Sequence, residues 1–335
     1  MKRSLTVTLV AVLLALAPGG EAQTPHKLVF ALNWFAVGDH AAYWVALDRG
    51  YYKARGLDVE LQNSKGSGDS IAKVDTGRAD LGLADAVVVI PRVAQGAKIK
   101  IVGAVFDNTP LNIWTRKDTG ITTPKDLEGK TLAAPPGDSQ RQLFPAFARV
   151  NGFDAGKVKW LTIEPAAKFV ALAEKRVDAV PDYTTGQPFW EKAVGKDNLV
   201  RMPWHQYGFD TYSMSIFASE KTINERPRVL RDFVAASYLG WRDVMDDPKA
   251  ALEIFKKRVP DIDLTLIEPN LMLGLELMRT ERYAKNGIGW MDRGKMCGTV
   301  EFINTYMPDM PRKVGCDEVF TNEFLTKIEL PKSMR

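Results

Sequence analysis

From residue 27 onward, short β-rich runs alternate with helical segments, and each of the first three helical segments stops at a glycine. The strand candidates are KLVFALNW (27–34), LDVELQ (57–62), ADLGLAD (79–85) and KIKIVGAVF (98–106). Helical segments at 41–55, 69–76 and 86–94 lie between them and end at Gly56, Gly77 and Gly96, the residue type best suited to closing a helix. Strands alternating with helices of this length form βαβ units on a largely parallel sheet. A second series follows: strands at 111–116, 130–136, 158–165, 177–183 and 198–203, with helices at 138–150, 166–175 and 186–194. YSMSIFAS (212–219) then makes one long strand, and from Pro227 the sequence is almost wholly helical, with Leu230, Phe233, Val234 and Trp241 on one face.

No low-complexity linker separates the two series. Extended segments crossing near Trp114 and near Ser215 therefore form a two-strand hinge, and the fold class is α/β: a two-lobed clamshell with its trailing helices packed on the first lobe. The expected division is 23–112 with 215–335 for lobe 1 and 113–214 for lobe 2. A cleft of this kind opens by rotation at a few hinge residues.

The first residues, MKRSLTVTLVAVLLALAPGGEAQ, place Lys2 and Arg3 before an apolar run and small residues after it. This is the pattern of a secretory signal peptide, 1–22, cleaved after Ala22, and the expected location is periplasmic. The run is shorter than the roughly 20 apolar residues a bilayer span needs. A formal charge of +4 with acids and bases interspersed gives no support for nucleic-acid binding. In an oxidising compartment the two cysteines, Cys297 and Cys316, are expected to pair, the alternative being two separate buried thiols.

Candidate binding residues cluster where the strands end, because ligands of open α/β sheets sit beyond the carboxyl ends of the strands. In LNWFAVGDH (32–40), alternation along the strand turns Trp34 toward the cleft, where an indole offers a flat stacking face. Asn33 precedes it, and His40 opens the next helix, positioned either to bond a ligand or to cap the turn. NSKGSGDS (63–70) is a glycine-rich turn into a helix whose N–H groups, with Ser67, could hold an oxyanion; a tight turn alone needs the same glycines. Asp85 closes the strand ADLGLAD. Asp138 and Ser139 begin a helix of the second lobe, with capping as their default role. Asp182 and Tyr183 end the strand VDAVPDY, and Tyr212 precedes the return strand.

No nucleophile elbow, phosphate loop, zinc signature or cofactor-lysine motif is present, and of three histidines only His40 falls in the expected cleft. Catalytic residues, metal ligands and cofactors are accordingly expected to be none. LNWFAVGDHAAYWVALDRGYYKARGLDVEL, TGRADLGLADAVVVIPRVAQG, TTPKDLEGKTLAAPPGDS and EKRVDAVPDY, in this order and spacing, resemble the NMT1/THI5-like periplasmic substrate-binding proteins of ABC importers. That group includes sulfonate-binding and thiamine-pyrimidine-binding members and the fungal pyrimidine synthases. The resemblance implies a type II binding-protein clamshell, a small-molecule ligand, an inner-membrane ABC permease as partner and a monomeric state.

An amide or acidic residue, then Trp, then His six residues later is similar to the pyrimidine-binding branch, and Asn33, Trp34 and His40 fit it. Ala36 stands where that branch carries proline, and the cysteine-rich motif of the fungal enzymes is absent. Trp34, Asp85, Asp182 and Tyr183 together suggest a neutral or partly cationic heteroaromatic ring such as a thiamine-precursor pyrimidine. An organic sulfonate, aromatic carboxylate or similar anion, held by Arg141 and the Ser67 turn, is the second expectation, and a pyrimidine-synthase-like enzyme the third.

Overall fold

The computed structural model describes residues 24–334; the expected signal segment 1–22 lies outside the described residues. The strands are β1 (His26–Ala31), β2 (Leu57–Gln62), β3 (Leu81–Asp85), β4 (Ile99–Ala104), β5 (Leu111–Arg116), β6 (Thr131–Ala133), β7 (Lys159–Leu161), β8 (Ala179–Tyr183), β9 (Leu199–Pro203) and β10 (Met214–Ser219). They form two five-stranded sheets, ordered β2-β1-β3-β10-β4 and β7-β6-β8-β5-β9. In each sheet one strand runs against its neighbours: β10 is antiparallel to β3 and β4, and β5 to β8 and β9. These are the strands that receive the chain after each crossing between lobes.

The crossings themselves are residues 105–110 and 204–213, one step earlier than Trp114 and Ser215, which lie inside the receiving strands. They run side by side: Val105 and Phe106 donate their N–H groups to Met214 O at 2.8 and 3.0 Å, and Ser213 N–H donates to Phe106 O at 3.4 Å.

Six helices accompany the αβ units: α1 (Ala41–Asp48), α2 (Ser67–Asp75), α3 (Ala86–Ala94), α4 (Ser139–Val150), α5 (Ala167–Ala173) and α6 (Gln187–Val194). The helical C-terminal part supplies α7 (Glu220–Glu225), α8 (Pro227–Asp246), α9 (Pro248–Arg258), α10 (Leu264–Met278), α11 (Glu281–Asn286), α12 (Arg293–Tyr306) and α13 (Cys316–Val319). The segment expected to be one helix over 41–55 breaks after α1, because Gly50 takes a left-handed conformation (φ 73°) and a short 3-10 turn follows at Lys53–Arg55.

One core packs α1, α8 and α10 on the first sheet through Phe30, Tyr43, Phe233, Trp241 and Leu271. Gly240 is required where α8 crosses α1: a Cβ there would lie 2.2 Å from Ala42 O. A second core runs continuously from Val87 and Ile101 of the first lobe to Ile113, Phe144 and Phe147 of the second, with Val300 and Ile303 of α12 among them. The trailing helices thus cover lobe 1, while α12 also reaches α4 and α10 also reaches α6. Cys297 of α12 and Cys316 of α13 are joined by a disulfide. Among the described residues no helix is long and apolar enough to cross a membrane.

Candidate functional site

β1 and β3 end facing β8 and the head of α4, and the space between is a cleft. Its first-lobe wall is the β1–α1 loop, with Asn33, Trp34, Phe35, Asp39 and His40; α10 adds Asn270. Its second-lobe wall brings Asp138, Ser139 and Gln140 from the start of α4, Phe169 and Phe189 from α5 and α6, and Asp182, Tyr183 and Thr185 from the end of β8. The lobes are in contact around a cavity of about 60 Å³.

A directed chain of hydrogen bonds crosses the cleft. His40 Nδ1 accepts from Val37 N–H at 3.4 Å, which fixes the tautomer, so Nε2–H donates to Asn33 Oδ1 at 2.9 Å. Burial holds the imidazole neutral by pushing its pKa down to about 3. Asn33 Nδ2 donates to the Tyr183 hydroxyl at 3.4 Å, and that hydroxyl donates to both carboxylate oxygens of Asp85 at 2.8 and 2.9 Å. The Ser213 hydroxyl donates to Asp85 as well, and Ser67 Oγ lies 3.4 Å away. Burial raises the Asp85 carboxyl above its ordinary range, and burial followed by the Asp85 charge raises the Tyr183 phenol well above its own.

A second bridge lies beside it. Thr185 Oγ1–H donates to Asp39 Oδ2 at 2.8 Å, and Asn270 joins the two lobes at once by accepting from Gly38 N–H at 2.7 Å and donating to Thr185 O at 2.9 Å. Burial lifts Asp39 to about 7; the Thr185 bond opposes this and the Asp182 charge adds to it. Asp39 Oδ1 has no partner among the described residues. At the head of α4, Asp138 caps the helix by accepting from Arg141 N–H at 3.0 Å and pairs with the buried Lys168 ammonium at 3.1 Å. The same ammonium lies 4.9 Å from the centre of the Trp34 ring, a cation–π contact made across the lobes.

Further contacts hold the lobes together. Gly68 N–H donates to Gly137 O at 3.0 Å, and Gly66 sits so close that a Cβ on it would lie 2.1 Å from Gly137 O. The Ser139 hydroxyl donates to Ser67 Oγ at 2.8 Å.

Of the residues expected from sequence, Asn33, Trp34, His40, Asp138, Ser139, Asp182 and Tyr183 line the cleft. Ser67 and Asp85 lie just behind the wall. Both are fully buried, and their polar atoms are engaged with each other, with Tyr183, Ser139 and Ser213, so they brace the site rather than face into it. Tyr212 is elsewhere: its ring is buried in the second core beneath Lys295, and its hydroxyl accepts from Asp292 N–H at 2.8 Å. Arg141 points outward, bonding Ala134 O and Thr162 Oγ1 and lying over the Trp160 ring, so the anion-holding role foreseen for it has no geometry here.

Lys168, Gln140, Thr185 and Asn270 were not singled out, and Asp39 was marked only as part of the LNWFAVGDH stretch. A lysine in a short helix and an asparagine within an apolar helix look like surface and core, while Thr185 stood beside marked neighbours.

The NMT1/THI5-like family profile matches residues 37–251. The riboflavin-binding protein RibY of Chloroflexus aurantiacus is 25% identical over 321 residues, covering 92% of this chain and 89% of RibY. The 4-amino-5-hydroxymethyl-2-methylpyrimidine phosphate synthase of Schizosaccharomyces pombe is 28% identical over 107 residues, covering 32% of this chain and 31% of the enzyme. The alkanesulfonate-binding protein SsuA of Xanthomonas axonopodis pv. citri, solved with MOPS, shares the fold at a TM-score of 0.67 and 15% identity, covering 90% of this chain and 99% of SsuA. The chain belongs to the NMT1/THI5-like family, and its fold is that of the periplasmic binding proteins.

Proposed function

We propose that the protein is the solute-binding component of an ABC import system. In this reading it is exported to the periplasm, captures a small heteroaromatic molecule of the thiamine-precursor pyrimidine type between its lobes, and delivers it as a monomer to a membrane permease. The observation that carries the reading is the composition of the two walls. Trp34 and Phe35 on one lobe oppose Phe169 and Phe189 on the other, the carboxyl groups of Asp39, Asp138 and Asp182 lie around them, and no arginine lines the cleft among the described residues. Planar rings gain from aromatic walls beyond simple burial, and carboxylates favour ring N–H and amino donors over anions. A sulfonate would find the nearest ammonium, Lys168, already paired with Asp138.

The name and the 92% coverage of RibY favour a second reading in which the ligand is a flavin and the lobes close less completely. An enzymatic role finds little support, because the synthase match covers only 107 residues and the cleft holds a neutral, fully engaged histidine.

A thermal-shift panel of 4-amino-5-hydroxymethyl-2-methylpyrimidine, riboflavin, benzoate and ethanesulfonate separates these readings. A ligand at 100 times its Kd adds about 2.7 kcal/mol, which raises the melting temperature of a protein this size by roughly 4 °C. A shift with the pyrimidine is expected. A shift with the sulfonate alone overturns the aromatic reading.

A further inference from the structure

Each crossing between the lobes is held at both ends, and the holding residues come from different lobes. Along the first, Val105 O accepts from the Tyr283 hydroxyl at 3.3 Å, and the fully buried Asp107 accepts from Arg282 Nε–H through both carboxylate oxygens, at 2.8 and 2.7 Å. Both donors belong to α11, among the helices that cover lobe 1. Further along, Pro110 O accepts from Thr184 N–H of the second lobe at 2.8 Å. On the second crossing the order reverses. Tyr207 O accepts from Asn151 Nδ2–H at the end of α4 at 3.3 Å, and a Cβ on Gly208 would lie 3.0 Å from Val150 Cγ1 of the same helix. By Tyr212 the chain is held from α12: its N–H donates to Thr299 Oγ1 at 3.2 Å, and its hydroxyl accepts from Asp292 N–H at 2.8 Å.

One side chain joins the two crossings. Lys295 of α12 donates to Asp107 O at 2.5 Å and to Asn108 Oδ1 at 3.1 Å on the first. On the second, its ammonium lies 5.2 Å from the centre of the Tyr212 ring and 3.9 Å from Asp210 Oδ1. What remains between the two sets of anchors is short. Thr109 bonds within its own segment, its hydroxyl accepting from Leu111 N–H at 3.3 Å. Phe209 is engaged by Trp204 and by Phe302 of α12, with ring centres 5.0 and 4.7 Å away. The Asp210 side chain is 71% exposed, and the buried Thr211 hydroxyl has no partner among the described residues. Lobe rotation is absorbed by a few backbone positions, and the residues gripped by neither lobe are the ones free to supply it.

We propose that the lobes rotate about Thr109 on one crossing and Asp210–Thr211 on the other, and that Lys295 is the positioning residue that confines rotation to them. With its ammonium in place, the lobe-1 ends of both crossings are fixed to α12 as one unit. Without it, Asn108 is released and the first flexible segment lengthens. Asp107, Arg282 and Lys295 do not line the cleft, so the cluster acts without touching a solute. Apparent affinity scales with the fraction of molecules that are closed, so a change at this cluster acts on every solute by the same factor. The inference stands on the crossings alone and holds whichever ligand the cleft takes.

No solute is needed for the test. Asp58 on β2 and Lys159 on β7 are exposed and lie on the sheet edges opposite those that carry the crossings. Nitroxides attached to Asp58→Cys and Lys159→Cys, the native cysteines being paired, give the distance distribution between the lobes by double electron–electron resonance. Lys295→Met is expected to broaden this distribution and extend it to longer distances, and Lys295→Arg, which keeps a cation with several donors, to restore the wild-type profile. Asn108→Ala removes one acceptor of the ammonium at a half-buried position and is expected to cause the same change in smaller measure; it decides the case if Lys295→Met lowers the melting temperature. Thr109→Gly adds backbone freedom at a pivot and is expected to broaden the distribution as well. Wild-type distributions in Lys295→Met and Asn108→Ala overturn the role of Lys295. Broadening in Lys295→Met with none in Thr109→Gly overturns the placement of the pivots.

Discussion

Asp39 and His40 are adjacent, buried and titrate in opposite senses, which makes a measurable prediction about stability. Burial takes Asp39 from 3.8 to about 7 and His40 from 6.5 to about 3. Between about pH 4 and 6.5 the unfolded chain therefore carries a proton on His40 and none on Asp39, and the folded chain carries one on Asp39 and none on His40. For Asp39, the raised folded pKa means a stabilising contribution fully present below 3.8 and lost as pH climbs to about 7. For His40, the depressed folded pKa means a contribution present above 6.5 and lost as pH falls toward 3. Each is worth about 1.4 kcal/mol per pH unit, with opposite sign, so the pair is nearly silent in the wild-type protein.

Asp39→Asn removes one arm while keeping an oxygen for the Thr185 hydroxyl. Relative to the wild-type protein it should gain about 4 kcal/mol of stability between about pH 4 and 7, and hold that gain at higher pH. His40→Gln should show the mirror image, losing about 3 kcal/mol relative to wild type across about pH 4 to 6.5. Urea midpoints measured from about pH 4.5 to 8.5 and taken as differences from wild type cancel the contributions of Asp85 and Asp182, whose carboxyls are also raised by burial. A difference that stays flat across this range for Asp39→Asn would refute the reasoning, because it would mean the carboxyl is charged in both states.

Tyr183→Phe removes the hydroxyl that bonds Asp85 from the other lobe and should loosen closure by about 1.5 to 3 kcal/mol, the range for a hydrogen bond to a charged group. Small-angle scattering should show a larger radius of gyration, and an unchanged profile would count against this tyrosine as a closing contact. Gly66→Ala places a methyl group 2.1 Å from Gly137 O, at a residue with φ of 121°, so ligand affinity should fall by about tenfold or more while far-ultraviolet circular dichroism is retained. Affinity equal to wild type would mean that ligand binding does not need this approach. Replacing Cys297 by Ser opens a loop spanning 19 positions and should cost about 3 kcal/mol, read as a lower melting temperature that reducing agent no longer changes.

The fold was legible because its signals are local. Gly56, Gly77 and Gly96, read as helix stops, all adopt positive φ, at 69°, 71° and 98°, a conformation in which other residues are strained. β3 is buried along its whole length and so reads as an unbroken apolar run, and β10 is buried except at its last residue. The site was legible only in outline. Strand ends must face the cleft once the topology is known, which is why Asn33, Trp34, Asp182 and Tyr183 were marked. Whether an aspartate faces a ligand or a tyrosine is decided by partners far along the chain: Asp85 meets Tyr183 across 98 positions, and Asp39 meets Thr185 across 146. No spacing rule carries that information, so Asp85 was marked as a ligand contact although its oxygens are bonded within the protein, and the buried Lys168 was not marked at all.

Those long-range pairs also determine where the closed state draws its stability. The exposed pairs between the lobes, Lys65 with Glu164 at 2.8 Å and Lys192 with Asp263 at 3.0 Å, are worth about 0 to 1 kcal/mol each because water screens them. The Thr185–Asp39 and Asn270 bonds are buried and the Tyr183–Asp85 bond is partly buried, so leaving any of them unmade strands a polar group away from solvent. None of these three bonds runs through a solute, so each contributes to closure whatever the cleft holds. In the proposed reading the binding energy divides in two: the polar strap closes the clamshell, and the aromatic walls discriminate between solutes. Weakening the strap should therefore reduce affinity for every ligand by one common factor, because it changes only the fraction of molecules that are closed. Changing the walls should alter the ranking of ligands and leave the empty protein's shape as it was.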